Sequence, residues 1–199
     1  MAGFIDWQRF PAIGTLAQQL LMNVSGLTHE AMAATPSFVP SPEKYIMDPN
    51  DVRLFILPVR WQGMPLDKAA LDPNDYRDWK PSQTPAQLIE QAPLLARLSA
   101  HPLVVNAMYS LSVPGCEIVP HIDRESAIGE VYRLHLGLFC PEGDCALIVD
   151  GERREWREGE ILLFDSPRVT HSAHNRTLKP RLIAIIDLDR RLCGEPTSI

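Results

Sequence analysis

Residues 131–165 read VYRLHLGLFC PEGDCALIVD GERREWREGE ILLFD, and this stretch decides the fold. Val131–Cys140 has the composition of a strand, and Pro141-Glu142-Gly143-Asp144 is a turn. Ala146–Val149 is a second strand, and Asp150-Gly151 is a strong hairpin signal leading to Arg153–Trp156. Glu158-Gly159 turns the chain again into Ile161–Asp165. Outward from this stretch the pattern continues. Leu103–Val113 precedes a Pro114-Gly115 turn and a short extended Glu117–His121. Downstream, Val169–Asn175 and Arg181–Leu188 are the last two strands. Strands this short and this closely spaced fold as a sandwich or barrel. The simplest form is a jelly roll, a cupin-like double-stranded β-helix, giving a mainly β protein.

The character differs before His101. Thr15–Asn23 has helical periodicity. Pro36–Pro49 carries four prolines and reads as a loop, and Asp67–Pro81 is polar and turn-rich. Val52–Trp61 reads as a strand in which Pro58 marks an edge or a bulge. Thr84-Pro85-Ala86-Gln87 combines a cap, a first-turn proline and a capping box, so a helix starts there and runs to about Ser99, with a break at Pro93. The expected organisation is one domain over 1–199. Its helical and irregular part (1–100) packs its helices against a jelly-roll catalytic core (101–190).

Composition narrows the function. Eighteen prolines in 199 residues argue for turns and against a helical bundle. The net charge is −6 and neither half is basic, which argues against a nucleic-acid partner. No apolar run approaches the ~20 residues of a membrane span. Asp6 and Arg9 fall where a leader would be apolar. These features point to a cytoplasmic protein without integral membrane association, its cysteines reduced. The four cysteines form no C-x-x-C pair, which argues against structural zinc, and Cys140 and Cys145 read as small apolar residues on paired strands.

His121-Ile122-Asp123 places an imidazole and a carboxylate on one side of an extended segment. A third ligand from another strand would complete the two-histidine, one-carboxylate set of Fe(II) oxygenases. The pattern is weak alone, since about 0.4 chance occurrences are expected with six histidines in 199 residues. His171 and His174 are both candidates for the third ligand, and His135 lies in a different strand.

The surroundings are more specific. Ser110-Leu111-Ser112-Val113-Pro114-Gly115 leads to Pro120-His121-Ile122-Asp123, followed by Tyr132-Arg133-Leu134-His135-Leu136-Gly137-Leu138. Trp156-Arg157-Glu158-Gly159-Glu160, Phe164-Asp165, His171, Asn175 and Arg181-Leu182-Ile183 complete the series. Over about residues 105–190 this order and spacing resembles the aspartyl/asparaginyl β-hydroxylase family of Fe(II)- and 2-oxoglutarate-dependent oxygenases. The resemblance implies His121 and His171 as the histidine ligands, with Asp123 matching a carboxylate that some members keep and others replace by glycine. It implies that Arg181 pairs with the distal carboxylate of 2-oxoglutarate, with Ser110 beside it, and that Arg133 and His135 lie near the other carboxylate. It implies a hydroxylase that consumes O2 and 2-oxoglutarate, releases succinate and CO2, and oxidises a C–H bond of an aspartyl, asparaginyl or related small-molecule or peptidyl substrate.

Physical chemistry is consistent with these implied roles. 2-Oxoglutarate is a dianion, and arginine binds carboxylates through paired charge-assisted hydrogen bonds. Arg181 opens an otherwise apolar strand, where an inward cation needs an anionic partner. Arg124 and Arg168, close in sequence to the metal motif, are candidates to meet a substrate carboxylate. His174 is given no role, and Trp156 and Phe164 read as core. A cupin-like metalloenzyme without 2-oxoglutarate and a non-catalytic jelly-roll binding module are the two rival readings.

Overall fold

A computed structural model describes residues 3–42, 46–47, 52–69, 83–123 and 130–197. Among the described residues the α-helices are α1 (Pro11–Met22), α2 (Val24–Ala33), α3 (Pro85–Gln91) and α4 (Pro93–Leu98). The strands are β1 (Val39–Pro40), β2 (Leu54–Trp61), β3 (Met64–Pro65), β4 (Val104–Ser112), β5 (Cys116–His121) and β6 (Val131–Phe139). They continue with β7 (Cys145–Val149), β8 (Glu152–Glu155), β9 (Ile161–Phe164), β10 (His171–Asn175) and β11 (Arg181–Asp189). Two antiparallel sheets result. The larger runs β1-β2-β4-β11-β6-β9 with β3 beside β2, and the smaller runs β5-β10-β7-β8. This is the mainly β jelly roll expected from the strand spacing.

β11 shows how the layers form. Alternate residues of a strand point to opposite faces. Leu182, Ala184, Ile186 and Leu188 enter the larger core, which Ile13, Leu16, Leu20, Leu27, Leu88 and Leu95 of the helices complete. Ile183 faces the other way, into a smaller core with Leu147, Phe164 and Ala173 between the sheets. Both faces of β11 are therefore covered, which explains its nearly continuous apolar run. Burying each large aliphatic side chain contributes about 1.5–3 kcal/mol, so the helix layer stabilises the sheet that carries the site.

Local chemistry sets the turns. Asp150 and Gly151 both have positive φ (49° and 82°), the two-residue hairpin turn that joins β7 to β8. The Thr84–Gln87 capping box forms, with the Thr84 amide donating to Gln87 Oε1 at 2.8 Å, and Pro93 separates α3 from α4. β2 lies inside the larger sheet, and Pro58 is accommodated at a register shift before Arg60. Three features depart from expectation. α1 starts at Pro11, four residues early. A short β1 falls in the proline-rich segment. α2 occupies a stretch without a periodicity signal. α2 is held by tertiary contacts: Leu27 and Ala31 are buried, and the Glu30 carboxylate accepts from Leu94 N (2.6 Å), Leu95 N (3.1 Å) and the Tyr109 hydroxyl (2.6 Å). Glu30 thereby caps α4, whose own N-cap side chain makes no capping bond. Among the described residues no helix is long and apolar enough to cross a membrane.

Gly137 in β6 is required by a close approach. A Cβ there would overlap the Arg157 carbonyl oxygen. Gly137→Ala should cost about 1–3 kcal/mol and lower Tm by about 2–12 °C. Thermal unfolding followed by circular dichroism checks this; an unchanged Tm would contradict the packing described.

Candidate metal and anion site

β5 and β10 are neighbours in the smaller sheet, and their register places His171 opposite His121. The two imidazole rings lie 4.2 Å apart between centroids. Asp123 follows the end of β5, its amide donating to the Ser166 carbonyl at 3.2 Å. Its Oδ1 is 3.4 Å from His121 Nε2 and 3.6 Å from His171 Nε2. One ligand atom from each of the three residues falls within 4.8 Å of the others, the one such group among the described residues.

The proton positions on the imidazoles follow from their partners. His121 Nδ1 is 2.7 Å from the Val119 carbonyl, and His171 Nδ1 is 3.2 Å from the Val169 carbonyl. A carbonyl only accepts, so each Nδ1 carries the proton and donates. Both Nε2 lone pairs are then turned toward Asp123 Oδ1, as a metal ligand requires. Burial alone would raise the Asp123 carboxyl. The Arg133 guanidinium, 2.6 Å from Oδ2, is the main opposing influence, and the carboxyl is held well below the usual carboxylate range. The donor set, two neutral imidazoles and one carboxylate, suits a first-row divalent metal with open positions.

Arg181 lies deeper between the sheets, 3% exposed. Its Nη2 donates to Ser110 Oγ at 3.1 Å and its guanidinium stacks 4.5 Å from the Trp156 ring centroid. Nε is buried without a hydrogen-bond partner, and no ion pair is made with any described residue. Burial pushes this guanidinium below its ordinary value. His135, at the level of Ile185, accepts the Trp156 indole N–H on Nδ1 at 3.3 Å. Its proton is therefore on Nε2, which is also buried without a partner. A cleft of about 60 Å³ joins these groups; Ser110, His121, His135, Trp156, His171 and Arg181 are among its walls. An unpaired cation and an unmade N–H in one cleft fit an anionic ligand.

Arg133 shares its guanidinium between two carboxylates. Besides Asp123, it donates from Nε and Nη2 to Asp187 Oδ1 (2.7 Å) and Oδ2 (3.0 Å). It also walls a second cleft of about 60 Å³, on the Asp123 side, with Ile56, Trp61, Met108, Val131 and Asp187. The structure thus brings together His121, Asp123 and His171, and sets Ser110, Arg133, His135 and Arg181 around the adjoining clefts. His174 points to the opposite face, its Nε2 2.6 Å from Asp144 Oδ1. Arg168 lies at the surface 3.6 Å from Glu130, and Arg124 is outside the described residues. Trp156 does more than fill core, since it contacts both Arg181 and His135. Sequence reading passed over Asp187 and Asn106; a charged residue inside LIAIIDLD and an amide inside VVNAMY were the available signals.

His135 gives a pH prediction for the metal-free protein. Burial, then the nearby Arg133 and Arg181 cations, keep its pKa well below the usual imidazole value. Below about pH 6.5 the unfolded chain therefore binds a proton that the folded protein refuses. Stability should fall as pH drops from 7 to 5, with this residue contributing up to about 1.4 kcal/mol per pH unit. His135→Gln should flatten the profile in urea unfolding; identical slopes would contradict the assignment.

A family model described as Aspartyl/Asparaginyl beta-hydroxylase matches residues 23–191. The ornithine lipid ester-linked acyl 2-hydroxylase of Rhizobium tropici is 36% identical over 93 residues, 46% of this chain and 32% of that protein. The human aspartyl/asparaginyl beta-hydroxylase is 32% identical over 80 residues, 40% of this chain and 10% of that protein. The matched part therefore spans a third or less of these relatives' own length. Among solved structures, a Pseudomonas putida prolyl-4-hydroxylase superimposes with a TM-score of 0.50 at 17% identity, covering 96% of this chain and 91% of that one. That likeness concerns the fold alone. With the family model matching most of its length, the chain belongs to the aspartyl/asparaginyl beta-hydroxylase family.

Proposed function

We propose that this protein is an Fe(II)- and 2-oxoglutarate-dependent dioxygenase that hydroxylates a C–H bond of a small-molecule or peptidyl substrate. The observation that carries the reading is the buried Arg181, a cation without a carboxylate partner among the described residues, in the cleft that His121 and His171 also line. Bound iron and 2-oxoglutarate supply the oxidising chemistry that activates O2.

The chain's own residues bind, orient and exclude water. His121 and His171 offer Nε2, and Asp123, kept ionised by Arg133, offers Oδ1. Arg181 and Ser110 receive the far carboxylate of the cosubstrate. The His135 Nε2–H is a neutral donor for its metal-proximal end. Phe164 packs edge-on against both His135 (5.2 Å) and His171 (5.1 Å), fixing the rings and keeping that side dry. The substrate enters by the cleft on the Asp123 side, past Trp61 and Met108. A cupin-like enzyme that uses no 2-oxoglutarate would leave Arg181 buried without a counter-charge.

Two substitutions test this reading. His171→Ala should abolish iron-dependent formation of succinate from 2-oxoglutarate. Arg181→Met should weaken 2-oxoglutarate binding to the Mn(II)-loaded protein about 30-fold or more by calorimetry. Wild-type turnover in the first variant, or wild-type affinity in the second, would contradict the assignment.

A further inference from the structure

The oxygenase reading gives no task to Asp187 or Asn106, yet both are buried on the inner face of the larger sheet. Asp187 is 1% exposed and Asn106 7%. Asp187 pairs in register with Arg133 on one side and with Asn106 on the other. One row thus crosses three strands. Asn106 Nδ2 donates to Asp187 Oδ2 at 2.9 Å, and Asn106 Oδ1 accepts the Gln62 amide at 2.9 Å. The row is thereby tied to the turn between β2 and β3.

The consequence falls on Arg133. A guanidinium is planar and its donors form a rigid fork. With Nε and Nη2 held on Asp187, the position of Nη1 is fixed, and it lies in ion-pair contact 2.6 Å from Asp123 Oδ2. Asp123 Oδ1 is the oxygen that faces both histidine Nε2 atoms.

We propose that Asp187, backed by Asn106, is a positioning residue for the metal-site carboxylate and acts through Arg133. The proposal rests on reading His121, Asp123 and His171 as metal ligands. Asp187 touches none of them. It holds the Arg133 charge beside Oδ2, while Oδ1 is the oxygen turned toward the two imidazoles. It also divides the Arg133 charge between two carboxylates.

The test is Mn(II) binding followed by electron paramagnetic resonance, with folding of each protein checked by circular dichroism. Asp187→Asn should weaken Mn(II) binding about 10–100-fold, the range for removing a group that orients a ligand. Asn106→Ala should weaken it less. In an Arg133→Gln background, Asp187→Asn should add no further loss, because its route to Asp123 is gone. Equal affinity in wild type and Asp187→Asn would overturn the proposal, as would the same fold-loss in both backgrounds. A purely structural role would lower Tm and leave the affinity of the folded protein unchanged. If Asp187→Asn does not fold, Asn106→Ala decides, and an unchanged affinity there overturns the proposal. Failure of the wild-type protein to take up Mn(II) would overturn the oxygenase reading and this proposal together. Uptake that Asp187→Asn does not alter overturns this proposal alone.

Discussion

Arg181 begins β11 with its guanidinium between the two sheets, resting on the Trp156 ring and bonded to Ser110. Holding a cation there is expensive unless an anion joins it. The neighbouring groups are arranged around that requirement. The Trp156 indole that stacks on Arg181 also fixes the tautomer of His135, whose remaining N–H meets no acceptor among the described residues. The same strand, two and six residues on, supplies Ile183 to the core between the sheets and Asp187 to the row that grips Arg133. One face of β11 therefore carries charged groups at both ends of the site. Its other face is wholly apolar and carries the helices.

This division separates the source of stability from the source of chemistry. The helix-covered side is packed with aliphatic and aromatic residues and makes no demand on the clefts. The side between the sheets holds Arg133, His135, His171, Arg181 and Asp187, groups that a stability-driven core would replace with leucine or valine. The helices and the buried outer face of the larger sheet offset that loss. Glu30 extends the arrangement, joining α2, α4 and Tyr109 on β4 through one carboxylate.

Much of the β architecture was readable because its signals are local. Pro114-Gly115, Asp150-Gly151 and the Thr84 capping box act within a few residues, and the structure uses each as a turn or a cap. α2 was not readable: Gly26 weakens a helix, and what holds this one is Glu30 and Leu27 meeting distant partners. Pro58 suggested an edge or a bulge, and the register of β2 against β4 places it at a bulge within the sheet. In the site, His121-Ile122-Asp123 stood out because its members are adjacent. His171 and His174 are three apart on β10 and so point to opposite faces, His171 toward Asp123 and His174 toward Asp144. Asp187 and Asn106 escaped notice because their roles depend on registers that join residues 54 and 81 positions apart.

The central claim is that the Arg181 cleft and the His121, Asp123 and His171 cluster bind one ligand pair in common. An anaerobic titration tests it most directly, with Fe(II) added first and 2-oxoglutarate second while the visible spectrum is followed. The account predicts a charge-transfer band that appears only after 2-oxoglutarate, saturates at one equivalent, and is absent from the Arg181→Met protein at the same concentration. Iron uptake with no band, at any concentration of 2-oxoglutarate, would contradict it.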